Sequence, residues 1–199
     1  MMTTEESLSV VVPANRMPGP AQGRWTYAQY ATIPEDGYRY EVVSGVLYMA
    51  PSPSAEHQSI VVKIVVHLFS AIQAIKRGRV FVAPFDVVLA DRHVVQPDVL
   101  VVLNEHSERI TERCVLGAPD LVVEVASPAT ARHDLREKLD AYADAGVPEY
   151  WIIQPDSQTL ELLVLEEGQY HSLGVFRDKA TLPSRLIPEW DVQVGQFFL

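Results

Sequence analysis

The stretch HVVQPDVLVV, His93 to Val102, decides the fold, and PDLVVEVASP, Pro119 to Pro128, answers it further along the chain. Each is a run of β-branched and apolar residues, the pattern of a strand buried on both faces. Each nevertheless carries a carboxylate in its middle, Asp98 and Glu124. A buried ionised carboxylate costs several kcal/mol unless it is paired, hydrogen-bonded or bound to a metal. Side chains alternate along a strand, so Gln96, Asp98 and Leu100 share one face, and Val122, Glu124 and Ala126 share another. If the two strands are neighbours, the acids meet within reach of one divalent cation. Pro97 lacks an N–H and belongs on an edge strand or at a bulge, a common device for aiming a side chain.

The chain has 199 residues, 48% of them hydrophobic, which suits one well-filled core and excludes global disorder. Its single cysteine, Cys114, excludes an internal disulfide framework and fits a reducing compartment. Glu5 and Glu6 stand where a signal peptide needs basic residues. The most apolar run, SIVVKIVVHLFSAI, is interrupted by Lys63 and His67 and reads as too short for a bilayer. The expectation is a soluble, cytoplasmic protein that does not enter a membrane. A net charge of −10 argues against a general DNA coat, which needs a basic surface, but suits a protein using acids to hold a metal.

Residues 1–24, with Pro13, Pro18, Gly19, Pro20 and Gly23, read as a flexible leader before a domain over 25–199. WTYAQYATIPEDG predicts a short helix, and YRYEVVSGVLYMA a hairpin about Ser44-Gly45. Over 57–76 the repeat of Ile60, Ile64, Leu68, Ile72 and Ile75 favours a helix that Gly78 ends. VFVAPFDVVLA and HVVQPDVLVVL follow as strands around Asp91-Arg92, then a polar link, then the strand DLVVEVA. DLREKLDAYADAG is a clear helix stopped by Gly146 and Pro148, and EYWIIQP and TLELLVLEE are strands about the turn DSQ. The order is that of a mixed α/β fold with one central sheet flanked by helices and an N-terminal β-hairpin.

The last helix supplies a cation. Leu135, Leu139 and Tyr142 form its apolar face, while Glu137, Asp140 and Asp144 should be solvated. Lys138 falls beside Tyr142 on the inward side, either snorkelling past the core so that its head reaches water or Asp134, or, taken with the two acids, as a candidate for holding phosphate or a nucleophilic water.

These segments together resemble the Uma2 family, a branch of the PD-(D/E)XK nuclease superfamily. The resemblance runs from about Tyr27 to the C-terminus and rests on YRYEVVSGVL, PSAEHQSIV, PFDVVL, VVQPDVLVV, GAPDLVVEVASPAT, DLREKLDAYADAGVPEYWII and LPSRLIPEWDVQV. It implies a restriction-endonuclease-like core and an endonuclease hydrolysing DNA, with Pro97-Asp98 as the "PD" and Glu124 as the acid of the "(D/E)XK". In such enzymes these acids bind Mg²⁺, for which Mn²⁺ can substitute. The third motif here reads Glu124-Val125-Ala126, so the expected lysine is missing, and Lys138 on the following helix is placed to supply it. Glu41 matches the family's "YE" position and is expected as a further ligand, or else as a strand carboxylate paired with Arg39. His57 at the first helix start is expected as a second ligand or phosphate contact, against blander local uses. Asp86 either faces the same site or a solvated edge, and Ser127 bonds the following turn. His67, His93, His106 and His171 show no metal-ligand spacing.

Two other readings compete. One is a nuclease-like scaffold kept for binding or regulation without turnover. The other is structural, with Asp98 and Glu124 satisfied by Arg132, Arg136 or backbone amides. Superfamily nucleases that cut both strands often act as homodimers, though no interface is legible in the sequence.

Overall fold

Two prolines divide the apolar runs between two sheets. The computed structural model describes residues 11–126, 134–188 and 190–198, with the side chains of 134–136 outside that description. Strand β4 (Gly78–Val82) is followed across Pro84 by β5 (Asp86–Ala90), and β6 (His93–Val95) across Pro97 by β7 (Val99–Leu103). Proline cannot donate to a ladder, so each run is cut there and its halves enter different sheets. This corrects the single continuous strand expected over His93–Val102 and the single sheet expected from the element order.

The larger sheet has the order β12-β11-β10-β9-β7-β4, with β9 Leu121–Val125, β10 Glu149–Gln154, β11 Thr159–Glu166 and β12 Gln169–Arg177. Its one parallel pair among the described residues, β9 and β10, brackets the helix α3 (Asp134–Ala145), as a parallel connection requires. The smaller sheet has the order β1-β3-β2-β6-β5-β8, built from β1 Val12–Pro13, β2 Arg39–Val43, β3 Val46–Ala50, β5, β6 and β8 Cys114–Leu116. The β2–β3 hairpin turns where expected, with Ser44 at φ 52° and Gly45 at φ 75°. Positive φ at both central residues matches the twist of a two-residue hairpin.

The larger sheet is covered on both faces. On one, Ile60, Ile64 and Leu68 of α2 (Ala55–Leu68) pack with Val99, Val101, Leu121 and Val123. On the other, Leu100, Val122 and Ile152 pack with Tyr142 of α3 and with Val43, Val87 and Val95 of the smaller sheet. Neighbouring residues of β7 and β9 therefore serve opposite layers, which is why both read as unbroken apolar runs.

Several expectations change. Helix α2 continues as a π turn through Gln73, so the helical run Ala55–Gln73 spans 19 residues at mean hydropathy 1.2, long and apolar enough by length and composition to cross a membrane. One face of this run carries the core contacts just named. Of the expected leader, residues 1–10 lie outside the described residues, whereas Val12–Pro13 pairs with β3 and Ala14 and Trp25 are buried in the smaller core. Strand β12 has no clear signal in the sequence, because most of its residues are exposed, and apolar and polar residues do not alternate along it, as an edge strand permits.

Gly78 does not cap the helix. It opens β4, where an added Cβ would meet Val102 O at 2.5 Å and Leu103 Cα at 2.9 Å. Backbone on both contacts cannot yield cheaply, so Gly78→Ala should destabilise the protein by about 1–3 kcal/mol, measured by urea unfolding. An unchanged midpoint would show that β4 is free to shift.

Candidate active site at the junction of the two sheets

Asp98 closes the loop that carries the chain from the smaller sheet into β7. The pairing of Val99 with Val123 and Leu100 with Val122, continued one step, sets Asp98 across from Glu124 of β9. The Val125 N–H donates to Asp98 Oδ2 at 2.8 Å. Both acids are buried, at 6% and 8% exposure.

Helix α3 brings two side chains to Glu124. Tyr142 OH donates to Oε1 at 2.7 Å, and Lys138 Nζ lies 3.2 Å from the same oxygen. These residues stand four apart, so they present to one place along the helix. Lys138 Nζ also reaches Glu41 on β2, at 2.8 Å from Oε2 and 3.0 Å from Oε1. Glu41 is buried and accepts the Gln96 backbone N–H at 2.6 Å. One ammonium thus joins a carboxylate of the smaller sheet to one of the larger. The expected alternatives, a solvated Lys138 head and an exposed Glu41 paired with Arg39, do not occur.

Asp98 has its own partners. His57, in the first turn of α2, sets Nε2 3.1 Å from Asp98 Oδ2, and its backbone N–H donates to the N-capping Ser54 hydroxyl at 3.2 Å. A carboxylate only accepts, so Nε2 carries the proton, which leaves buried Nδ1 without a hydrogen-bond partner among the described residues. Arg39 Nη1 stands 3.9 Å from Asp98 Oδ1. Its guanidinium is gripped by Gln96, with Nη2 donating to the backbone oxygen at 2.8 Å and Nε to Oε1 at 3.3 Å. Asp86 lies one step behind, accepting from Gln96 Nε2 at 2.8 Å and Tyr30 OH at 2.7 Å.

The environments drive the two acids apart. Burial pushes Glu124 up to about 7, reinforced by the charges of Asp98 and Glu41 and opposed by Lys138 and the Tyr142 hydrogen bond. Burial also works to raise Asp98, but the hydrogen bond and charge of His57, the Val125 N–H and Arg39 outweigh it and hold Asp98 below the usual range. A carboxylate held ionised beside one poised near neutrality is a pairing typical of acid–base and metal sites.

The donor set suits a hard cation. Among the described residues no hydrogen bond reaches Glu124 Oε2 or Asp98 Oδ1, so each acid keeps one oxygen for a ligand. Two carboxylates and few other donors match Mg²⁺, which retains several waters. Glu41 and His57, expected as further ligands, are instead turned to Lys138 and to Asp98 respectively.

A three-donor set, with ligand atoms within 4.8 Å of one another, is formed by Glu105, His106 and Asp120 beyond the other end of β7. His106 shows no metal-ligand spacing in the sequence, yet the fold brings it to Asp120. Asp120 already takes His106 Nδ1 at 2.8 Å and the Leu103 N–H at 2.7 Å, which accounts for its burial.

Two contributors were not read from the sequence. Tyr142 looked like core, although a buried tyrosine hydroxyl needs a partner and Lys138 lies four residues away on the same face. Arg39 looked like the partner of Glu41, and only the loop at Gln96 reveals otherwise. Glu137, expected to be solvated, accepts a hydrogen bond from Tyr48 at 2.8 Å. Ser127 and Arg132, and the side chains of Asp134, Leu135 and Arg136, lie outside the described residues.

Beside Asp98 and Arg39 opens a cleft of about 420 Å³. Val61, Val62, Val65 and Val66 of α2 line it together with Val82, Ala83 and Pro84.

Comparison with known proteins gives a consistent picture. Residues 27–195 match the family model described as "Uma2: Putative restriction endonuclease". Among solved structures, the chain is similar to one described as a putative nuclease belonging to DUF820 from Anabaena variabilis ATCC 29413. The TM-score is 0.74 at 21% identity, over 87% of this chain and 97% of that one, a likeness of fold. No curated protein matches.

Proposed function

The chain belongs to the Uma2 family, and from that premise we propose that it is a Mg²⁺-dependent nuclease hydrolysing DNA phosphodiester bonds with water as the nucleophile. The observation that carries this reading is Lys138 Nζ, 3.2 Å from Glu124 and 2.8 Å from Glu41 in a buried site beside Asp98. A lysine absent from the strand motif is thus supplied by α3 to the same acid.

Asp98 and Glu124 would hold the ion through Oδ1 and Oε2. When bound, Mg²⁺ polarises the scissile phosphate and acidifies a water. The chain's own residues do the rest. Lys138, its Nζ fixed by Glu41, offers N–H donors to a phosphate oxygen or orients the water. Tyr142 holds Glu124 Oε1, and His57 and the Val125 N–H hold Asp98 Oδ2, so the two remaining oxygens keep their spacing. Glu41 fixes the position of the Lys138 ammonium.

Titrating Mg²⁺ and Mn²⁺ into the wild type and Glu124→Ala, while following Tm, tests the metal. Stabilisation of about 2.7 kcal/mol is expected for the wild type at a hundred times Kd, and none for the variant. Equal response of both proteins, or of neither, overturns the assignment.

A second reading has an observation of its own. Lys138 already pairs with both Glu41 and Glu124, so each of these acids has a cationic partner without an ion. A scaffold that binds without turnover would then keep its binding in Glu124→Ala.

A further inference from the structure

The cleft beside the acids is unlike a surface made for duplex DNA. Among the described residues its lining is mostly aliphatic, and the polar side chains in it are Arg39, Gln58 and Asp98. Val62 and Val66 are 58% and 57% exposed, and Val82 is 42% exposed, so apolar surface stands open to water directly beside a buried charged site. Grip on a duplex comes from many cations along its phosphates. The net charge is −10 and Arg39 is the one cation lining the cleft among the described residues, so apolar burial is the contact this cleft offers.

We propose that this cleft takes an unpaired nucleobase next to the scissile phosphate, which makes single-stranded nucleic acid the preferred substrate. The inference rests on the nuclease reading of Asp98 and Glu124 and names the substrate class for that site. A volume of about 420 Å³ lies within the range of small-ligand pockets and holds a purine. Val62, Val65 and Val66 of α2, with Val82 and Pro84, would give the base its apolar contacts. In a duplex those faces are covered by neighbouring pairs, so entry requires a base already free or drawn out of the stack. Arg39, fixed by Gln96 and 3.9 Å from Asp98, sits where the phosphate attached to that base must pass. Its guanidinium is matched to phosphate oxygens. Gln58 offers an amide to the base edge without selecting one base.

Binding is the deciding measurement, because it does not require turnover. Fluorescence anisotropy with Ca²⁺ in place of Mg²⁺ would compare one DNA sequence as a single strand, as a duplex, and as a single strand with abasic residues through its centre. The wild type should bind the intact single strand at least about tenfold more tightly than either alternative. Val62→Glu and Val66→Glu change exposed positions, so Tm should hold while this preference disappears.

Equal affinity for single strand and duplex, no loss with abasic residues, or no response to either substitution overturns the proposal. If the valine variants instead turn a dimer into a monomer and leave single-strand affinity unchanged, the cleft belongs to a second copy of the chain. If the preference is present but no Glu124-dependent cleavage accompanies it, the base site stands and the hydrolytic reading falls.

Discussion

Glu124→Gln is expected to lower cleavage by about a thousandfold, the scale of losing several kcal/mol of metal-borne charge stabilisation. The same change should make the metal-free protein more stable at pH 8. Burial lifts the folded-state value of Glu124 to about 7 from its ordinary 4.5. Below pH 4.5 the carboxyl is protonated in folded and unfolded chains alike and has no effect. Between pH 4.5 and 7 the unfolded chain has released a proton that the folded chain retains, so each rise in pH favours unfolding. Above pH 7 the folded protein bears the full cost of the buried charge, about 3 kcal/mol. The glutamine variant escapes that cost, and Lys138 keeps Glu41 as its partner. Urea unfolding of both proteins at pH 5 and pH 8, with chelator present, measures the difference directly. If Glu124→Gln is instead destabilised equally at both pH values, the carboxylate is a structural partner of Lys138, and its poised titration has no bearing on a metal.

The residues at the centre of this argument were legible early, because burial makes them conspicuous. Asp98 and Glu124 interrupt apolar runs, and a strand with both faces covered has nowhere bland to put a charge. Lys138 showed itself in the same way, as an ammonium on the inner face of an amphipathic helix. What the pattern could not convey was how the chain divides between sheets. Pro97 looks like an edge or bulge residue and Pro84 lies inside what reads as one strand, whereas each marks the passage from one sheet to the other. That misreading hides the role of Gln96. Once residues 96–98 become a loop, the Gln96 N–H and carbonyl are free of any ladder, and they fix Glu41 and Arg39 instead. Contacts of this kind depend on backbone released by a break, which side-chain periodicity does not encode. His106 and Asp120 illustrate the same limit, since only the return of the chain beside β7 brings them together.

Lys138→Met should damage both chemistry and stability, and the two effects can be separated. Removing the ammonium strips the buried site of the cation shared by Glu41 and Glu124. Breaking a buried ion pair from one side costs about 3–5 kcal/mol, because the partner charges stay behind without compensation. If Lys138 donates to the reacting phosphate as proposed, its loss should cost a further factor of about 10²–10³ in cleavage. A fall in activity alone would be ambiguous, since a loosened site also turns over poorly. Pairing Lys138→Met with Glu41→Gln resolves it. The second change removes one of the stranded carboxylates and should restore much of the lost stability, measured by urea unfolding, while cleavage stays low. The Lys138 charge also holds Glu124 down, so in Lys138→Met the half-point for Mn²⁺ binding should move to higher pH as the proton is held more tightly. Recovery of cleavage together with stability in the double variant would reduce Lys138 to a structural counter-ion. An unchanged pH dependence of Mn²⁺ binding would mean that the ion does not compete with the Glu124 proton, and the two-carboxylate site would have to be abandoned.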